Sequence, residues 1–131
     1  MLGSSTGDGR NRHILVVEDN PADAFLLEEL LSEVLPQPYE LMRAASLSEA
    51  VEKAPLADLT LLDMGLPDSF GLETLTRFRE ACPDTRVVVL SGLDDRDMAR
   101  KALAEGADDY LVKGEEDVEA IPRLLDGPAT V

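Results

Sequence analysis

Leu59-Thr60-Leu61-Leu62-Asp63-Met64-Gly65-Leu66-Pro67-Asp68 is the stretch whose reading decides the fold. Its first four residues form a short apolar run, the pattern of a strand buried on both faces of a parallel sheet. Asp63 closes the run, and Gly65, Pro67 and Asp68 are turn formers. Asp63 therefore falls at the carboxyl end of a central strand, the edge where ligands bind in open α/β sheets. Taken alone, an aspartate here more often just begins the turn. The rest of the chain changes that balance.

Upstream, Ile14-Leu15-Val16-Val17 is a β-branched run closed by Glu18 and Asp19. Asn20 and Pro21 then supply an N-cap and a first-turn proline. Ala22, Phe25, Leu26, Leu30 and Val34 recur at helical spacing, with Leu27 and Leu31 widening the stripe, until Pro36 and Pro38 end the helix. Residues 39–44 carry Glu40 and Arg43 among apolar positions, which suits an edge strand. A short helix over 46–54, capped by Ser46 or Ser48, stops before Pro55. Downstream of Asp63, a loop over 64–70 leads to a helix with Leu72, Leu75, Phe78 and Cys82 inward, ended by Pro83. Residues 86–90 form the fourth strand, closed by Ser91-Gly92. A helix over 95–105 turns Met98, Ala99, Ala102 and Leu103 to one side, with Gly106 as its C′ residue. Tyr110-Leu111-Val112 is the fifth strand, closed by Lys113-Gly114. The final helix starts near Glu115 and is short or distorted, because Pro122 falls within it. Strand and helix thus alternate five times, which predicts a doubly wound parallel α/β sheet.

A chain of 131 residues, 44 % of them apolar, suits one domain with one core. That domain is expected over 13–125, between flexible tails at 1–12 and 126–131. The net charge of −15 argues against direct nucleic-acid binding. The apolar runs are too short to cross a membrane, and the start lacks the apolar segment of a signal peptide. With Cys82 as the single cysteine, no intrachain disulfide can form, so a cytoplasmic location is expected.

The strand ends carry the chemistry. Glu18 and Asp19 end the first strand, Asp63 the third, Ser91 the fourth and Lys113 the fifth. A parallel sheet gathers these ends along one edge. Two carboxylates 4 Å apart repel by roughly 4 kcal/mol at an effective dielectric of about 20. Lys113 alone does not neutralise three acids. A hard divalent cation does, and Mg²⁺ takes one or two carboxylates while reaching phosphate oxygens. The set is suited to a cation and a phosphoryl group, with Asp63 as candidate nucleophile and Ser91 and Lys113 holding the remaining phosphoryl oxygens.

Val16-Val17-Glu18-Asp19-Asn20, Leu62-Asp63-Met64-Gly65-Leu66-Pro67-Asp68 with Gly71, Val89-Leu90-Ser91-Gly92, and 106–113 ending Tyr110-Leu111-Val112-Lys113 occur in that order. Together they resemble the response-regulator receiver domain of two-component signalling. The resemblance implies a flavodoxin-like fold with strand order 2-1-3-4-5. It makes Asp63 the phospho-acceptor, and it assigns Mg²⁺ to Asp19, Asp63 and the Gly65 carbonyl, with Glu18 acting through water. It also makes Ser91 the switch hydroxyl, Lys113 its phosphoryl-binding partner, and Tyr110 the aromatic that moves with Ser91. The implied partners are a histidine kinase or histidine phosphotransfer protein, with a fused or separate output domain and a homodimer both open. On this reading the chain accepts a phosphoryl group and is not a turnover enzyme. Gly114 departs from the proline usual after the lysine, and Pro122 puts the usual output surface in doubt. Gly65 and Leu93, two residues after the acceptor and the switch hydroxyl, carry no polar group to orient water, which implies slow phosphoryl loss. The competing reading is a receiver-like interaction module that works without phosphorylation. A flavin site is disfavoured because Glu18-Asp19 would repel a phosphate, and an aspartate-based phosphohydrolase because Gly65 stands where a second acid is needed.

Overall fold

Side chains of a strand alternate between faces, so a strand apolar at every position must be covered on both sides. The computed structural model describes residues 12–35, 38–92, 96–112 and 121–122, and shows that arrangement. The elements run β1 (Arg12–Val17), α1 (Pro21–Val34), β2 (Tyr39–Ala44), α2 (Leu47–Lys53) with a 3₁₀ turn (Ala54–Leu56), and β3 (Leu59–Asp63). They continue through β4 (Gly65–Leu66), β5 (Ser69–Phe70), α3 (Leu72–Ala81), β6 (Val87–Ser91), α4 (Arg96–Ala104) and β7 (Asp109–Val112). Five strands form one sheet in the order β2-β1-β3-β6-β7, with every neighbour parallel. Apart from the small β4–β5 ribbon, this is the expected flavodoxin-like 2-1-3-4-5 order.

The core lies on both faces of that sheet. Ile14, Val16, Leu59, Leu61, Val88 and Leu90 pack on one side, under Leu31 of α1 and Ile121. Leu15, Val17, Leu62, Val87 and Val89 pack on the other, under Leu47, Ala50, Leu75, Phe78 and Ala102 from α2, α3 and α4. All five residues of β3 are buried, which makes it the central strand of the site-bearing edge. As expected, β2 is an edge strand, and its Arg43 forms an ion pair with Glu28 of α1.

Several local expectations are corrected. In α1 the buried positions are Ala24 and Leu31, with Leu27, Leu30 and Val34 partly covered. Ala22 is exposed, as are Phe25 (56 %) and Leu26 (60 %). Residues 24–27 are apolar without a break, so spacing alone does not fix the phase of the stripe. The small Ala24 takes the buried place and the bulky pair stays in solvent. In α4 Ala102 is buried and Leu103 is 48 % exposed, because the covered face is narrower than the apolar stripe. Helix α2 does end before Pro55, but the chain continues through that proline as a 3₁₀ turn, where its missing N–H costs nothing. Strand β1 begins at Arg12, opposite Tyr39, ahead of its apolar run. The expected loop at 64–70 contains an antiparallel ribbon, Gly65 opposite Phe70 and Leu66 opposite Ser69. Of the last helix only Ile121 and Pro122 are described, both helical. Its expected distortion, Gly114 and both tails lie outside the described residues, apart from Arg12.

Candidate functional site

β1 and β3 are neighbours, so their carboxyl ends lie side by side. One carboxylate oxygen from each of Glu18, Asp19 and Asp63 falls within 4.8 Å of the other two. Glu18 and Asp63 are buried and Asp19 is exposed, so the cluster opens to solvent on the Asp19 side. At that separation each pair of full charges repels by roughly 3.5 kcal/mol at an effective dielectric of about 20. Backbone donors offset part of this. The Asn20 N–H donates to Glu18 Oε1 at 3.1 Å, and the Gly65 N–H donates to Asp63 Oδ1 at 3.2 Å. The donor set is all hard oxygen, which fits Mg²⁺ and not a soft metal.

The segments that present these acids are fixed locally. The Glu18 N–H donates to the Ala44 carbonyl at 2.9 Å, which ties the end of β1 to β2. Asn20 Oδ1 accepts from Ala22 N–H (2.9 Å) and Asp23 N–H (3.2 Å), so α1 starts immediately after the acids. Beyond Asp63, Gly71 has φ +71°, a conformation that favours glycine, and its N–H donates to the Met64 carbonyl at 2.7 Å. Gly65 is half-buried, and a Cβ built there would meet only the Phe70 ring, at 3.8 Å.

Ser91 ends β6, which pairs with β3 so that Leu90 lies opposite Asp63. Tyr110 lies opposite Val89 on β7, half-buried against the core on the α2–α4 side. Glu18, Asp19, Asp63, Gly65, Ser91 and Tyr110 are thus all placed on or beside four neighbouring strands of the sheet, β1, β3, β6 and β7. Lys113 and Leu93 lie outside the described residues. Cys82 is buried just past the last residue of α3, in the core beside Leu75 and Phe78, with Sγ 3.9 Å from the Val51 carbonyl, and burial pushes its thiol pKa up. It is a packing residue, as its place on the helix suggested.

One part of the site was not legible in the sequence. Asp68, which reads as a turn residue, reaches back to α2: its Oδ1 accepts from Leu47 N–H (2.8 Å) and its Oδ2 from Ser48 N–H (3.1 Å). Those two donors hold the Asp68 carboxyl below its usual pKa, with further help from Arg77. Ser69 and Thr74 form a buried hydroxyl pair at 3.0 Å under the same loop. Only the Pro67-Asp68 turn signal was visible; the partners lie about 20 residues away in sequence.

A family model for the response regulator receiver domain matches residues 14–124. The cell cycle transcriptional regulator CtrA of Caulobacter vibrioides is 33 % identical over 113 residues, covering 85 % of this chain and 48 % of CtrA. The chain spans about half the length of the curated relatives it matches. Among solved structures, a CheY-like response regulator receiver domain protein from Methanospirillum hungatei is 27 % identical with a TM-score of 0.73, covering 89 % of this chain and 95 % of that one. A response regulator from Burkholderia pseudomallei, crystallised with a phosphorylated aspartic acid, calcium ion and citrate, is 29 % identical with a TM-score of 0.67, covering 85 % of this chain and 64 % of that one.

Proposed function

The chain belongs to the response-regulator receiver family of two-component signalling, and from that premise we propose that it takes a phosphoryl group onto Asp63. The observation that carries the reading is the meeting of Glu18, Asp19 and Asp63 oxygens within 4.8 Å at the ends of two adjacent strands. Asp63 is the nucleophile. One of its oxygens attacks the phosphorus of a phosphohistidine, and a P–O bond forms as the P–N bond breaks. The departing imidazole keeps the electron pair and takes up a proton. Asp19, Asp63 and the Gly65 carbonyl hold Mg²⁺, with Glu18 acting through water. Bound there, the ion offsets the charge of the acids and of the phosphoryl oxygens. Lys113 and Ser91 bind the other phosphoryl oxygens, and Ser91 with Tyr110 forms the switch.

The donor is a histidine kinase or histidine phosphotransfer protein, in the cytoplasm, and the output passes to a fused or separate domain or to a homodimer. The phosphorylated aspartate of the Burkholderia pseudomallei relative supports the acceptor role. Among the described residues no helix is long and apolar enough to cross a membrane. Gly65 offers no side chain to orient water, so the adduct is expected to persist.

The test is incubation with acetyl phosphate and Mg²⁺, followed by intact-protein mass measurement. The wild-type chain should gain one phosphoryl group, and Asp63→Asn should gain none. Turnover with release of free phosphate would make the protein a phosphohydrolase instead. Neither adduct nor turnover would favour the phosphorylation-independent module.

A further inference from the structure

The loop from Asp63 to α3 carries one wall of the site, and its far end is fastened to a helix with no other part in that site. We propose that Asp68 is a positioning residue: by clasping the N-terminus of α2, it holds the β4–β5 ribbon, and with it Gly65, in the place the metal needs. The proposal rests on the functional reading above.

The connections are continuous. The Gly65 N–H donates to Asp63 Oδ1 at 3.2 Å. Gly65 pairs with Phe70, and Leu66 with Ser69, across the Pro67-Asp68 turn. The side of the ribbon nearer α3 is fixed by the Met64 carbonyl, which accepts from Gly71 N–H at 2.7 Å, and by the Ser69–Thr74 hydroxyl pair. The tip is held by burial of Leu66 in the core and by the hydrogen bonds of Asp68. Its two carboxylate oxygens take the Leu47 and Ser48 N–H groups, and its carbonyl accepts from Arg77 Nη1 at 3.2 Å. α2 is seven residues long, and its cap Ser46 serves Glu49 N–H, so Asp68 satisfies two first-turn donors that the cap does not reach. The bonds therefore serve both partners: they complete a short helix and stop a two-residue-deep ribbon from swinging.

Coupling of this kind is reciprocal. Metal binding that fixes Gly65 should tighten the clasp, and loss of the clasp should weaken metal binding. Asn at position 68 keeps one acceptor oxygen but turns an NH₂ toward the second donor, so it should restore only part of the effect.

The experiment uses the full chain. Mg²⁺ is titrated while the amide NMR signals of Asp63 and Gly65 are followed, and amide hydrogen exchange of Leu47 and Ser48 is read with and without Mg²⁺. Asp68→Ala should weaken Mg²⁺ affinity about fivefold, with Asp68→Asn in between. Mg²⁺ should slow Leu47 and Ser48 exchange in the wild-type chain and not in Asp68→Ala. Ser46→Ala separates positioning from stability, because it weakens the same helix N-terminus without touching the loop, and it should leave Mg²⁺ affinity unchanged. Unaltered affinity in Asp68→Ala, or an equal loss in Ser46→Ala, overturns the proposal. A wild-type chain that binds no Mg²⁺ overturns the functional reading itself.

Discussion

The two edges of the same sheet use carboxylates in opposite ways. At the amino edge, Asp58 precedes β3 and its Oδ2 accepts from His13 N–H of β1 at 2.7 Å. Asp108 precedes β7 in the same manner, and its Oδ2 accepts from Val87 N–H of β6 at 2.9 Å. Each aspartate also sends its own N–H back to the neighbouring strand, to the His13 and Val87 carbonyls at 2.7 and 2.8 Å. Positive groups are interleaved: Arg79 lies 3.6 Å from Asp108, and Arg12 and Arg86 border the same hollow as Asp58 and Asp84. At the carboxyl edge Glu18, Asp19 and Asp63 crowd together instead. One edge fixes register, and the other stores repulsion that a cation can relieve. Fold and function are thus written with the same residue type, and the partner each carboxylate meets tells them apart.

The largest expected effect comes from exchanging the two edges in experiment. Asp19→Asn should abolish both Mg²⁺ binding and phosphorylation, yet raise the stability of the metal-free protein by about 1 kcal/mol, because it removes a like charge. Asp58→Ala should do the reverse: Mg²⁺ binding persists, while unfolding free energy falls by about 1.5–3 kcal/mol as the His13 N–H loses a charged acceptor. Urea unfolding in a chelator, paired with Mg²⁺ titration, reads both. If Asp19→Asn destabilises the metal-free chain, the carboxyl edge is not a store of repulsion and the contrast fails.

This contrast also explains what the sequence could tell. Glu18, Asp19, Asp63 and Ser91 were legible because each follows an apolar run, and a parallel sheet brings such ends together whatever the details of packing. Alternation pointed to a doubly wound parallel sheet, and the strand order came from the receiver-domain resemblance that the motifs carry. The amino-edge staples were not legible: Asp58 reads as the first residue of the third strand, where the structure starts that strand at Leu59, and the partners of Asp58 and Asp108 lie 45 and 21 positions away. The clasp made by Asp68 was hidden for the same reason. The phase of α1 was misread because apolar residues at four consecutive positions, 24–27, leave the helix free to turn either side inward, and only the packed sheet selects Ala24 and Leu31.

Between the edges, the middle of β3 should affect neither register nor metal. Thr60 is fully buried there, and its Oγ1 finds no hydrogen-bond partner among the described residues. Valine has nearly the same shape and no hydroxyl to desolvate. Thr60→Val should therefore raise unfolding free energy by about 1 kcal/mol and leave Mg²⁺ affinity and the phosphoryl adduct unchanged. A loss of stability would mean that the hydroxyl is satisfied in the folded protein. A change in Mg²⁺ affinity would mean that the centre of β3 is coupled to its end.

The smallest expected effect tests whether the partner, and not the edge, decides what a carboxylate does. Asp68 and Glu49 sit toward the carboxyl edge but behave like the amino-edge staples. Asp68 accepts first from Leu47 N–H and then from Ser48 N–H, and Glu49 accepts from Ala45 N–H and pairs with Lys53. Both carboxyl pKa values are lowered by these contacts. A lowered folded-state pKa means that the unfolded chain binds more protons as the pH approaches the ordinary carboxylate range, so stability rises with pH there. The contribution of these two groups is complete above their ordinary values, near pH 4, and is lost as the pH falls through their folded-state values. Both groups meet solvent, so the change is modest. Urea unfolding from about pH 6 to about pH 3 should show a shallower loss of stability in the double variant Asp68→Asn with Glu49→Gln than in the wild-type chain. The variant starts less stable at neutral pH, because its amides are poorer acceptors, and the two curves converge in acid, where the wild-type carboxyls are protonated as well. Parallel curves would show that the N–H contacts of Asp68 and Glu49 contribute nothing to stability, and the contrast would then rest on position along the strand alone.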